Sequence, residues 1–219
     1  MDLKNNGVQL VQQTNYLWDG DIQLTVSPKK KSKFSLHIRI PGWAQNQPSP
    51  GDTYRFLDNA EKKFTLTVNG KSIAYSLKNG YAIIDREWKQ GDKVFLGLLM
   101  EIRKVIAIDS IADNRNKVSL QRGPLMYCFE HPDNDGKIAN IFIPDEVQFS
   151  SNFENNTLGG IMKLEANAPA IKVSADGLSV KTKNKKIVAI PYFAWANRGA
   201  GQMEVWVPRK IREVRVLSN

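Results

Sequence analysis

Apolar and polar residues alternate along most of this chain. Ile22, Leu24 and Val26 fall on one side of a period-two pattern and Asp21, Gln23 and Thr25 on the other, and Phe34, Leu36, Ile38 and Ile40 alternate in the same way with Ser35, His37 and Arg39. A period of two puts every second side chain on one face, so both stretches predict strands with one buried side. Phe64, Leu66 and Val68 repeat the pattern and lead into Asn69-Gly70, a pair that tolerates the positive φ angles of a tight hairpin turn. A second such pair, Asn79-Gly80, precedes an apolar stretch at 81–84, and Gln90-Gly91-Asp92 turns the chain into Val94, Leu96, Leu98 and Met100. Further strands are expected at 118–121, 125–129, 138–143, 161–165, 171–174, 187–193, 203–207 and 214–217. No segment keeps an apolar stripe at helical spacing for three turns, so helix should be scarce. The predicted fold class is all-β, with two tandem antiparallel β-sandwich domains. The polar stretch 109–116 interrupts the strands and places the boundary, giving domains at 1–112 and 113–219. Residues 45–59 and 150–160 lack the alternation and are expected to be long surface loops.

Composition narrows the picture. The chain has 219 residues, 42% of them hydrophobic, which is enough apolar material for two cores. No run approaches the roughly 20 apolar residues of a membrane span, and the first residues lack the apolar core of a secretion signal, so a soluble chain without membrane or export is expected and localisation stays open. The net charge of +9 is concentrated in two lysine runs, 29–33 and 181–186, each between strand-like segments. Lysines in such places solvate a hairpin end or blunt a sheet edge. Without a recognition helix, an aromatic RNA-binding signature or a zinc finger, the charge does not predict a nucleic-acid partner.

Candidate chemistry is sparse. The single cysteine, Cys128, lies in the apolar run Leu-Met-Tyr-Cys-Phe, where a thiol is buried and unreactive. His37 sits on the polar side of its strand and His131 in a Glu-His-Pro turn, neither with a second ligand at metal spacing. Asp85 and Glu87 share a strand face about 6.6 to 7 Å apart, close to the separation of a glycosidase pair. Two neighbours on one strand do not flank a sugar from opposite sides, however, and a solvated pair balanced by Arg86 and Lys89 accounts for them. Among five tryptophans, Trp18 and Trp43 fall in loop-like contexts after strands. With Tyr16 they are candidates for a partner interface or a sugar contact, the other role for Trp18 and Trp43 being to cap a core.

Six segments in order carry a resemblance: Tyr-Leu-Trp-Asp-Gly (16–20), Arg-Ile-Pro-Gly-Trp-Ala (39–44), Val-Asn-Gly-Lys (68–71), Gly-Tyr-Ala-Ile-Ile-Asp-Arg-Glu-Trp (80–88), Leu-Gln-Arg-Gly-Pro-Leu-Met-Tyr-Cys-Phe-Glu (120–130) and Pro-Tyr-Phe-Ala-Trp-Ala-Asn-Arg-Gly (191–199). Together they resemble the C-terminal β-sandwich region of glycoside hydrolase family 127, the β-L-arabinofuranosidases. The resemblance implies a non-catalytic accessory region that docks on or stabilises an (α/α)6 catalytic barrel in cis or trans. It implies no cofactor in this chain, because the family's zinc-bound cysteine nucleophile belongs to the barrel, and Cys128 does not match it. Leu17 departs from the proline that relatives often carry at that place. The competing expectation is a free-standing carbohydrate-binding module, and an accessory region without its barrel is also expected to self-associate.

Overall fold

The computed structural model describes residues 2–3, 6–59, 64–174 and 179–214. They form an all-β protein of antiparallel sheets, in which the helical pieces are short 3-10 turns, Gly42–Gln45 being the longest among the described residues. No helix among them is long and apolar enough to cross a membrane. The chain divides into two compact units, one of Met1–Pro50 with Asn59–Met100 and one of Gly51–Asp58 with Glu101–Asn219. The division falls between Met100 and Glu101, ahead of the polar stretch at 109–116, because the strand Ile102–Ala107 pairs with Lys117–Arg122.

The first unit holds a six-stranded sheet in the order Asp2–Leu3, Asn6–Thr14, Asp21–Pro28, Asp92–Leu98, Phe64–Val68, Lys71–Ser72, and a three-stranded sheet in the order Ser32–Arg39, Tyr81–Trp88, Ser76–Lys78. The alternation in the sequence is the alternation of burial. Val26, Leu66, Val68, Val94, Leu96 and Leu98 are buried from the larger sheet, and Ile38, Ala82, Ile84 and Trp88 from the smaller. Trp88 is fully buried, stacks on Phe34 with ring centroids 5.8 Å apart and donates its indole N–H to the Phe34 carbonyl at 3.0 Å. Both Asn-Gly pairs take left-handed conformations, φ 52° and 75° at Asn69-Gly70 and φ 51° and 75° at Asn79-Gly80, as a type I′ hairpin requires. Asn69 also works through its side chain. Its amide donates to the buried Asp92 carboxylate at 2.9 Å and its oxygen accepts from the Lys93 N–H at 2.9 Å.

The second unit is built on a nine-stranded sheet whose main path runs Ser150–Glu154, Ile161–Val173, Val180–Pro191, Leu125–Glu130, Lys117–Arg122, Ile102–Ala107, Tyr54–Phe56. Two short strands, Met203–Glu204 and Val207–Pro208, branch from it. Its core includes Val118, Leu120, Tyr127, Phe129, Ile141 and Leu164. Several expectations change here. Residues 138–143 are not a strand but a 3-10 turn followed by a single bridge, Ile141 to Ala170, although Ile138, Ile141 and Ile143 are fully buried. A short apolar run signals burial and does not by itself specify the backbone. The strands expected at 161–165 and 171–174 are one strand of 13 residues. Ser150–Glu154 and Tyr54–Phe56 are strands inside segments expected to be loops. Of the strand expected at 214–217, residues 215–217 lie outside the described residues.

Candidate functional site

Residues 15–19 form a turn between the paired strands Asn6–Thr14 and Asp21–Pro28. It supports itself: Trp18 N–H donates to the Asn15 carbonyl at 2.9 Å, Tyr16 N–H to the Thr14 hydroxyl at 3.0 Å, and that hydroxyl to the Asp21 carbonyl at 2.7 Å. The turn leaves Tyr16 37% exposed and Trp18 half-buried. Trp43 differs, being 9% exposed in the 3-10 turn Gly42–Gln45 beside the fully buried Ala44. It is a core-capping residue rather than a surface ring. Burial pushes the Tyr16 phenol above its usual range, and the Trp43 indole pulls the other way. That indole N–H is buried and reaches no acceptor with good hydrogen-bond geometry among the described residues, so burial is the main cause of the shift.

Asp85 and Glu87 occupy the outward face of Tyr81–Trp88 and pair across it with Lys33 at 3.7 Å and Lys31 at 2.6 Å, all four side chains more than half exposed. The cations that balance them therefore come from the neighbouring strand Ser32–Arg39, at Lys33, and from Lys31 just ahead of it. Arg86, expected to share that task, points to the other face, 3.8 Å from Asp92 and with its guanidinium 5.0 Å from the Trp88 ring centroid. Among the described residues no second carboxylate stands opposite either acid, so the pair has the geometry of a solvated sheet surface.

Cys128 is fully buried, and burial together with the Glu130 charge pushes its thiol up to about 12, far from a thiolate nucleophile. His37 is exposed with its ring near Tyr81, and the buried Nδ1 of His131 makes no hydrogen bond among the described residues. A zinc-thiolate centre of the kind the family resemblance implies needs several cysteines. One buried cysteine, with no converging group of three or more His, Cys, Asp or Glu among the described residues, does not fit it.

The most exposed aromatic group among the described residues lies in residues 192–195, part of a motif in the sequence but not among its site candidates. Tyr192, Phe193 and Trp195 are 45%, 59% and 38% exposed, and Tyr192 and Trp195 stack with centroids 6.3 Å apart. Beneath them is a polar lock. Glu130, 2% exposed, accepts from the Ala196 N–H at 2.9 Å and from Arg198 at 2.5 Å; Arg198 also reaches Asp133 at 2.5 Å, and Asp133 lies 3.5 Å from Lys163. Asn197 donates to the carbonyls of Ala194 and Trp195, both at 3.1 Å. Ala196 is held at φ 65°, a left-handed conformation that costs an L-residue roughly 1–2 kcal/mol. Two motifs read separately in the sequence, 120–130 and 191–199, thus meet through one buried carboxylate. The available signal was three rings within four residues, just after a strand that ends in proline.

Residues 1–100 match the family model for the β-L-arabinofuranosidase GH127 middle domain, and residues 102–208 match the one for the glycoside hydrolase family 127 C-terminal domain. The chain belongs to glycoside hydrolase family 127. The junction of the two family domains coincides with the division between Met100 and Glu101. A family relative, the non-reducing end β-L-arabinofuranosidase of Bifidobacterium longum subsp. longum, is 30% identical over 93% of this chain and 31% of its own length. Among solved structures, a GH127 β-arabinofuranosidase superposes with a TM-score of 0.92 at 33% identity, covering 98% of this chain and 34% of that one. A GH127 β-L-arabinofuranosidase from Geobacillus stearothermophilus T6 gives 0.83 at 36% identity over 96% of this chain and 32% of that one. The chain thus spans about a third of the length of the relatives it matches.

Proposed function

We propose that this region is the non-catalytic β part of an arabinofuranosidase-type glycoside hydrolase, and that it docks on and stabilises a helical catalytic barrel in cis or in trans. The observation that carries the proposal is the coverage: both matched family domains are middle and C-terminal ones, and about two thirds of each relative lies outside the match. The chemistry agrees, since the acids at Asp85 and Glu87 are solvated ion pairs and the one thiol is buried and protonated. On this reading the zinc and its thiolate nucleophile belong to the barrel. Tyr16 and Trp18 are the barrel-facing rings, with Trp43 packed behind them.

The test is to mix this chain with the separately expressed remainder of the Bifidobacterium longum relative and follow association by calorimetry. Association is expected, weakened by Trp18→Ala roughly 30-fold, the effect of losing an interface aromatic worth about 2 kcal/mol. Trp43→Ala is expected instead to destabilise the isolated chain by about 3 kcal/mol, as deletion of a buried ring does. No association, or a Trp18→Ala variant that binds undiminished, sinks the docking assignment. The exposed rings at 192–195 favour a second reading, a carbohydrate-binding module. It requires that the isolated chain be retarded in an arabinan-containing gel and that Phe193→Ala abolish the retardation.

A further inference from the structure

The hairpin of Ile161–Val173 and Val180–Pro191 carries charge differently on its two faces. On one face Lys186 is paired with Glu165 at 2.7 Å and Lys163 with Asp133 at 3.5 Å. On the other, Lys172 stands directly across from Lys181 in the strand register, with Lys183 the next residue on the same side. None of these three makes an ion pair among the described residues, and like charges facing each other across a sheet are destabilising. Lys172 and Lys183 line a cleft of about 390 Å³ together with Lys137, Lys185 and Asn140. Among the described residues lining it the one carboxylate, Asp135, is 88% exposed and lies 3.7 Å from Lys185, which also donates to the Asn134 carbonyl at 2.8 Å. A row of lysines that only guarded a sheet edge would have no reason to converge with Lys137 and Asn140 from a separate segment.

We propose that this cleft binds an anionic sugar residue, the carboxylate of a uronic acid within a glycan chain. Lys172 and Lys183 supply the charge, and Asn140 lines the cleft beside them. No aromatic ring lines the cleft, so it offers no platform for stacking nucleic-acid bases. The choice of a saccharide as the carrier of the carboxylate rests on the glycoside hydrolase reading above; the demand for an anion rests on the lysines alone.

The test is to titrate the purified full chain with a uronic acid trisaccharide, a neutral trisaccharide of matching size, inorganic phosphate and a short single-stranded DNA. The uronate trisaccharide should bind in a salt-sensitive manner and the neutral one should not. Lys172→Gln with Lys183→Gln should weaken uronate binding at least about tenfold, while Lys186→Gln on the opposite face leaves it unchanged. These lysines are at the surface, so the variants should keep the wild-type melting temperature or exceed it. Undiminished binding by the double variant, an equal loss from Lys186→Gln, or tighter binding of phosphate or DNA than of uronate overturns the proposal. Barrel association is measured without any uronate, so failure of either proposal is read independently of the other.

Discussion

The two units differ in how their strands are buried and in how much side-chain help they receive: strands such as Asp92–Leu98 in the first bury alternate residues, whereas Lys117–Arg122 and Leu125–Glu130 in the second bury consecutive ones. In the first, regular hairpins satisfy the backbone, and side-chain bonding concentrates at turns, above all where Asn69 and Asp92 tie two of them together. In the second, irregular segments thread between strands and charged groups satisfy them. Lys104 donates to the carbonyls of Pro144, Asp145 and Val147 at 3.3, 2.6 and 2.6 Å. Asn134, 1% exposed, bonds the Glu130 carbonyl and both backbone groups of Val188. Glu130 and Arg198 hold the aromatic loop. Local sequence chemistry is enough to specify a hairpin, whereas a threaded segment needs partners distant in the chain.

The strongest way to break this contrast is at the polar lock. Arg198→Met leaves the Glu130 carboxylate buried with the Ala196 N–H as its one remaining donor among the described residues, and the expected loss is roughly 3–5 kcal/mol. Urea unfolding should show it together with a shift in Trp195 fluorescence; a loss below about 1 kcal/mol would mean the lock is not structural.

A smaller effect separates the units in acid. Burial pushes the Asp92 carboxyl up, but the Asn69 amide, the Lys89 N–H and the charges of Arg86 and Lys89 together outweigh it and leave the group below its usual value. A carboxyl depressed by folding stabilises the protein above its ordinary range near 4 and loses that contribution as pH falls through the folded value. Asp145 is also depressed, chiefly by hydrogen bonds from Arg209, but half its side chain is exposed and solvent weakens the effect. Asp92→Asn should therefore flatten the acid limb of a melting-temperature profile more than Asp145→Asn. The reverse order would place the acid-sensitive contact in the second unit.

The smallest effect belongs to the outer face of Tyr81–Trp88. Asp85→Asn with Glu87→Gln should change stability by less than about 0.5 kcal/mol by thermal melting, because both ion pairs are more than half exposed. A larger change would show that the outward face of the sheet carries structural weight.

The same contrast explains what the residue pattern could reveal. Period-two alternation and Asn-Gly turns announced the strands and hairpins of the first unit, and the burial of Val94, Leu96, Leu98, Ala82 and Ile84 follows them. The second unit was less legible. Tyr54–Phe56 is three residues long, too short to establish an alternation of its own, and what makes it a strand is Ile102–Ala107, which lies far along the chain. At the site, loop context marked Tyr16, Trp18 and Trp43 alike, although only the first two stay accessible; whether a ring caps a core or faces out depends on what packs on it. The loop at 192–195 owes its exposure to Glu130, and a pairing across more than sixty residues leaves no local trace.

The strand Tyr54–Phe56 bears on how the two family domains can be inherited and made. It is encoded within the first domain but completes the sheet of the second, pairing Tyr54, Arg55 and Phe56 with Ala107, Ile106 and Val105. The Asp58 carboxylate that follows binds Arg103 at 2.6 Å, and the Phe56 ring lies 3.4 Å from that guanidinium. A gene cut at the junction after Met100 would deliver a second domain with an open edge and a buried Arg103 that has lost the Asp58 carboxylate, a product prone to pair with other chains. During synthesis this strand emerges well before its partners and has to wait for them. The two domains are consecutive in sequence but not separable at their junction, because a strand of the second lies within the first.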